Sequence, residues 1–226
     1  MKYIKNNIYT DKTEFCSARK ALKHLGKPFD DELEVVSFHS LSKGLLGEWG
    51  LRGGYMELYN IDEFARQMIY KSKAVSLWWN TIGQFGVGLM VNPPNLNNAT
   101  QDTIDQYNEE ELNIYNGLKV RAKLLSDGLN SINGITCNEV AGAMYAFPRI
   151  YLPENYIKEA QAEGIEPDMK YCLQLLNETG IMIVPGSGFG QVDGTYHFRI
   201  TNLINSNKKM EIAINEIKKF TEKIIV

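Results

Sequence analysis

Ser37-Phe38-His39-Ser40-Leu41-Ser42-Lys43-Gly44-Leu45-Leu46-Gly47-Glu48-Trp49-Gly50-Leu51-Arg52-Gly53-Gly54-Tyr55 is a loop dense in serine and glycine between two β-rich runs, Leu33 to Phe38 and Tyr55 to Tyr59. Lys43 stands in its middle. Small residues on both sides let backbone and hydroxyl groups approach a ligand. Arg52 adds a planar fork of donors suited to phosphate or carboxylate. Taken alone, such a loop is most simply a solvated surface segment, and the rest of the chain decides between that and a site.

The sequence has 226 residues, 44% of them hydrophobic, which is enough for the core of one large domain or two small ones. A net charge of −3 with scattered lysines supplies no basic field, so no nucleic-acid partner is expected. No apolar run approaches a membrane span, and Met1 to Tyr9 carry no signal-peptide apolar core, so no membrane partner is expected either. Cys16, Cys137 and Cys172 are odd in number and lack metal-ligand spacing. They fit a reducing, cytoplasmic setting and read as small buried apolar residues. His24, His39 and His197 are far apart in sequence, and no metal site is expected.

Thr13 is expected to cap a helix running to Leu25, ended by Gly26 and Pro28. After the lysine loop, Asn60 and Glu63 read as a reciprocal cap for a helix with Ile61, Phe64, Ala65, Met68 and Ile69 facing a core. Val75 to Phe85 is aromatic and interrupted by glycines. Trp78 and Trp79 there are expected to pack between domains or subunits, with ligand stacking as the other reading. Pro93-Pro94 and Asn95 to Thr100 mark a domain boundary. A long helix follows from Gln101 to about Leu129, its acid run Glu109-Glu110-Glu111 on the solvated face. Gly142 to Ile150 reads as a strand ending at Pro148. A helix through Met169, Cys172, Leu173 and Leu176 ends at Gly180 in a left-handed cap. Ile181 to Val184 and Thr195 to Ile200 read as strands, and Lys208 to Lys223 as a final helix. Pro185-Gly186-Ser187-Gly188-Phe189-Gly190 lacks the Lys-Ser/Thr ending of a phosphate loop and reads as a tight connection.

The lysine stretch resembles that of pyridoxal-phosphate aminotransferases of fold type I, and its wording is similar to the alanine aminotransferase family. Gly142-Ala143-Met144-Tyr145-Ala146-Phe147-Pro148-Arg149-Ile150 and Pro185 to Gly190 with Tyr196-His197-Phe198-Arg199-Ile200-Thr201 carry the same resemblance. It covers nearly the whole chain but only the C-terminal part of the family's length. It implies an α/β fold: part of the large pyridoxal-phosphate transferase domain, a three-layer α/β/α remnant, over residues 1–95, then an α+β small domain over 96–226.

The resemblance further implies pyridoxal 5'-phosphate as cofactor, with Lys43 as the Schiff-base lysine that afterwards carries the Cα proton. Ser40, Ser42 and Arg52 hold the phosphate, and Arg199 clamps the substrate α-carboxylate. The implied reaction moves an amino group between L-alanine and 2-oxoglutarate, with amino and 2-oxo acids as small-molecule partners and a homodimer as the assembly. One departure is visible. Ile4 stands where the family's cofactor-contacting tyrosine is expected, with Tyr3 one place away, and the family's ring-nitrogen aspartate would fall just before Met1. The competing readings are an inactive remnant acting as a self-association or partner-binding module, and a fold type I lyase using the same lysine chemistry.

Overall fold

The computed structural model describes residues 7–76 and 80–225. Trp78 and Trp79, Tyr3 and Ile4 lie outside the described residues. The chain divides into two compact units, Met1–Leu112 and Asn113–Val226.

In the first unit, α1 (Ala18–Leu25) begins later than Thr13, because Ser17 Oγ accepts the Lys20 N–H at 3.1 Å and serves as the cap. Gly26, at φ +70°, ends it. Pro28 is followed by one further helical turn, α2 (Phe29–Glu32). Strands β1 (Val35–Ser40) and β2 (Gly54–Tyr59) pair antiparallel, from Val35 opposite Tyr59 to Ser40 opposite Gly54.

The expected Asn60–Glu63 cap is replaced by Asp62, whose Oδ1 accepts the N–H groups of Phe64 and Ala65 and so caps α3 (Glu63–Val75). Asn60 instead sits at φ +54° and donates to the carbonyls of Asp30 and Leu33. None of the residues of α3 is buried, so its apolar stripe does not face a core within this unit. The glycine-broken segment is a helix as well, α4 (Thr81–Val91), capped by Asn80 Oδ1 on the Ile82 N–H. Gly83 and Gly86, read in the sequence as interruptions, are packing surfaces.

Helix α5 (Gln101–Asn130) spans the division between the units. Its stripe is buried from Leu118 through Ala122 and Leu125 to Leu129. In the second unit a sheet runs in the order β3 (Ile135–Thr136), β5 (Arg149–Ile150), β7 (Tyr196–Thr201), β4 (Tyr145–Ala146), with β6 (Val184–Pro185) also paired to β7. The single strand expected over 142–150 is two short strands parted at Phe147-Pro148, since proline cannot donate to a ladder. The strand expected from Ile181 reduces to β6. Two helices connect these strands, α6 (Glu154–Ala162) and α7 (Pro167–Thr179), the latter ended by left-handed Gly180 as its sequence foretells. Helix α8 (Asn207–Ile225) closes the unit.

Alternation along β7 builds the core. Phe198 is fully buried and stacks on Tyr171 of α7 (5.9 Å), which meets Phe220 of α8 (5.2 Å). Thr221 donates its hydroxyl hydrogen to the Ile217 carbonyl, so the Tyr171 hydroxyl donates to Thr221 Oγ1, each at 2.7 Å. Each buried hydroxyl is thereby satisfied. Burial raises the proton affinity of Tyr171, and it pushes the Cys172 thiol up to about 12. Cys172 is the buried cysteine, whereas Cys16 is exposed, against the expectation for all three.

Where α5 meets α8, a Cβ added to Gly128 would lie 2.8 Å from both Cδ1 and Cγ2 of Ile214. Gly128→Ala should therefore destabilise the protein by about 1 to 3 kcal/mol, overpacking outweighing the roughly 1 kcal/mol gain in helix propensity. Urea unfolding checks this, and in an Ile214→Ala background the same change should cease to destabilise.

Candidate active site

The first unit places Ser40, Ser42, Lys43 and Arg52 on one hairpin loop. Leu41 N–H donates to the Gly53 carbonyl (3.1 Å), and Glu48 N–H to the Leu41 carbonyl (2.8 Å), which closes the loop on itself. Leu41 and Leu45 are its buried anchors, at 1% and 8% exposure, while the Lys43 and Arg52 side chains are exposed. Ser40 Oγ accepts the Ser42 N–H at 3.3 Å, so the two hydroxyls lie on one tight bend ahead of the lysine. Arg52 takes the left-handed conformation, φ +53° and ψ +39°, and its Nη1 donates to the Trp49 carbonyl at 3.2 Å. Lys43 and Arg52 thus come from opposite limbs of a loop whose ends are pinned by the β1–β2 ladder.

Helix α4 fixes the Arg52 limb. Asn80 Nδ2 donates to the Leu51 carbonyl at 2.6 Å. A Cβ on Gly53 would stand 2.4 Å from the Gly83 carbonyl oxygen, and one on Gly83 would stand 2.6 Å from the Leu51 carbonyl oxygen. Backbone meets backbone here, as only paired glycines allow. Sequence reading missed Asn80, Gly83 and Gly86. The available signal was an Asn-Thr cap followed by glycines three residues apart, one face of a helix. Beside the loop, a hollow of about 680 Å³ is lined by Phe38, His39, Ser40, Tyr55, Tyr70 and Lys73. His39 meets Tyr55 edge-on at 5.8 Å, and burial lowers its proton affinity.

Arg199 belongs to the second unit. It lies opposite Val184 on β7, on the face opposite Phe198. Its guanidinium sits between two rings, Cζ being 4.6 Å from the centroid of Tyr145 and 4.9 Å from that of Phe189. Phe189 ends the 3₁₀ turn Gly186–Phe189, just before left-handed Gly190. Phe147 meets Phe189 edge-on (5.6 Å, 85°) and stacks on His197 (5.0 Å, 6°).

His197 Nδ1 lies 3.0 Å from Gln191 Oε1, and Gln191 Nε2 donates to Asp168 Oδ2 at 3.1 Å. Oδ2 also accepts the Ser187 N–H at 2.6 Å. A carboxylate only accepts, so Gln191 turns its NH₂ to Asp168 and its carbonyl to His197, which puts the imidazole proton on Nδ1. Asp168 is 1% exposed. Sequence reading named Ser187 and His197 only within longer strings and missed Asp168, because nothing local says that an aspartate in the first turn of α7 reaches a turn after β6.

The chain belongs to the aminotransferase class I and II family, whose model matches residues 15–217. It is 47% identical over 215 residues to a Dictyostelium discoideum protein named "probable alanine aminotransferase, mitochondrial", covering 95% of this chain and 39% of that protein. It is 42% identical over 219 residues to glutamate–glyoxylate aminotransferase 1 of Arabidopsis thaliana, covering 97% and 45%. Among solved structures, the alanine aminotransferase from Pyrococcus furiosus superposes with a TM-score of 0.70 at 25% identity, covering 98% of this chain and 48% of that one. The chain therefore spans less than half the length of these relatives. No helix among the described residues is long and apolar enough to cross a membrane.

Burial, then the Arg149 guanidinium, lowers the proton affinity of His197, with Asp168 opposing. The folded state thus binds the His197 proton less readily than the unfolded chain, whose histidines titrate near pH 6.5. The resulting stability is fully present above about pH 6.5 and is lost as pH falls through the lower folded value. His197→Phe keeps the stack on Phe147 and removes the titration. Wild type should lose more thermal stability than this variant between about pH 7.5 and about pH 5; equal losses in melting temperature would refute it.

Proposed function

We propose that this chain supplies the C-terminal part of a pyridoxal-phosphate-dependent transaminase acting between L-alanine and 2-oxoglutarate, giving pyruvate and L-glutamate. The observation that carries the reading is the pinned hairpin with Ser40, Ser42, Lys43 and Arg52 on it. Residues 1–95 are then the tail of the cofactor domain and 96–226 the small domain. A homodimer is the proposed assembly, and a reducing, cytoplasmic compartment the proposed location. Family membership and the kinship with alanine aminotransferases support the substrate class, while the glutamate–glyoxylate relative makes glyoxylate the competing acceptor to test.

The residues fit the group. A phosphate dianion needs charge-assisted donors at a close backbone, and Arg52 with the Ser40 and Ser42 hydroxyls offers them beside Gly44, Gly53 and Gly54. Pyridoxal 5'-phosphate, when bound, supplies an aldehyde for a lysine amine and an electron-withdrawing ring beside the substrate Cα. Lys43 Nζ is the amine that would hold that aldehyde, and the same nitrogen would carry the proton from the substrate Cα. Arg199 fixes the substrate carboxylate and with it the direction of the Cα–H bond.

A second reading, a remnant that self-associates or binds a partner, is favoured by the exposure of Phe38, Phe64, Val75 and Phe85, at 76%, 74%, 81% and 68%.

Incubation with pyridoxal 5'-phosphate followed by borohydride reduction separates the two. The transaminase reading predicts one modified lysine, Lys43, on peptide mapping, and no specific label in Lys43→Ala. Labelling spread evenly over the lysines would leave the remnant reading standing.

A further inference from the structure

The second unit carries a device that the amino-acid sequence does not announce. Arg199 has an aromatic ring 4.6 Å from its Cζ on one strand and another 4.9 Å away on a turn. Rings at these distances attract a guanidinium through the negative potential of their faces. With Tyr145 and Phe189 in place, the freedom of a long arginine side chain is restricted, and the donating N–H edge is the part left for a planar carboxylate.

Each ring is itself held. Tyr145 is set opposite Thr201 by the β4–β7 register, so it is placed by the strand that also carries Arg199. Phe189 has two supports. The first is its own turn, whose Ser187 N–H is tied to Asp168 Oδ2. The second is Phe147, whose other contact is the His197 ring, oriented by Gln191 and through it by the same Asp168 oxygen. One buried carboxylate therefore anchors both supports.

We propose that Tyr145 and Phe189 are positioning residues that hold the Arg199 guanidinium edge-out for a carboxylate, with Asp168 as the buried post that fixes Phe189. The proposal rests on the reading of Arg199 as the carboxylate-binding residue, and its test separates the two. The full chain is labelled with ¹⁵N-arginine and ¹⁵N-histidine, and the Arg199 Nε–Hε resonance is assigned by its loss in Arg199→Lys. L-Alanine is then titrated without added cofactor.

The resonance should lie upfield of the other arginines through ring currents. Phe189→Leu and Tyr145→Leu should each shift it downfield and weaken alanine binding about fivefold, the order expected of one cation–π contact. Tyr145→Phe and Phe189→Tyr, which keep a ring, should restore both. Asp168→Asn should move the same resonance and change the ¹⁵N signature of the His197 tautomer.

If Arg199→Lys leaves the alanine titration unchanged, the carboxylate reading fails, while the clamp still stands or falls on the resonance in the leucine variants. If Arg199→Lys abolishes binding but both leucine variants keep the wild-type resonance and affinity, the clamp is overturned. If Asp168→Asn leaves the resonance and the tautomer unchanged, the role of Asp168 is overturned.

Discussion

Strand β7 is the constraint on which the second unit depends. Among the described residues it alone pairs with three other strands, β4, β5 and β6, so its six residues set the register of those three. Because successive side chains point to opposite faces, Phe198 on one face commits His197 and Arg199 to the other. The same alternation that fills the core with an aromatic stack therefore decides where the arginine stands. A slip of one residue would bury the charge and expose the ring, so core and candidate site are not separable in this strand.

The first unit is organised differently. Its described sheet has two strands, and its loop is fixed less by apolar burial than by hydrogen bonds across the hairpin neck and by the approach of α4. Leu41 and Leu45 supply the buried anchors. Many large apolar side chains of α3 and α4 remain exposed.

What was legible in the sequence follows the range of the interactions. The lysine hairpin, the long helix and the Gly180 cap were readable because turn chemistry and helical periodicity are local. The caps at Ser17 and Asp62 were misplaced because several capping residues lie within a few positions, and only geometry chooses among them. Helix α4 was missed because its glycines look like breakers until the Leu51–Gly53 backbone is seen against them. Four of the proposed site residues share the hairpin and could be read together. The rings around Arg199 could not, since Tyr145, Phe147 and Phe189 come together only through the sheet, and an aspartate at a helix start carries no mark of a distant turn.

The contact between Gly53 and Gly83 also bears on how such sequences can drift. Where two side chains touch, enlargement of one can be offset by shrinkage of the other, and the positions can covary. Here each added atom would meet a main-chain carbonyl, for which no smaller replacement exists. The two positions can only be kept or lost, so variation near the lysine loop is channelled to places such as Leu41 and Gly86, where the neighbour is a side chain that can give way.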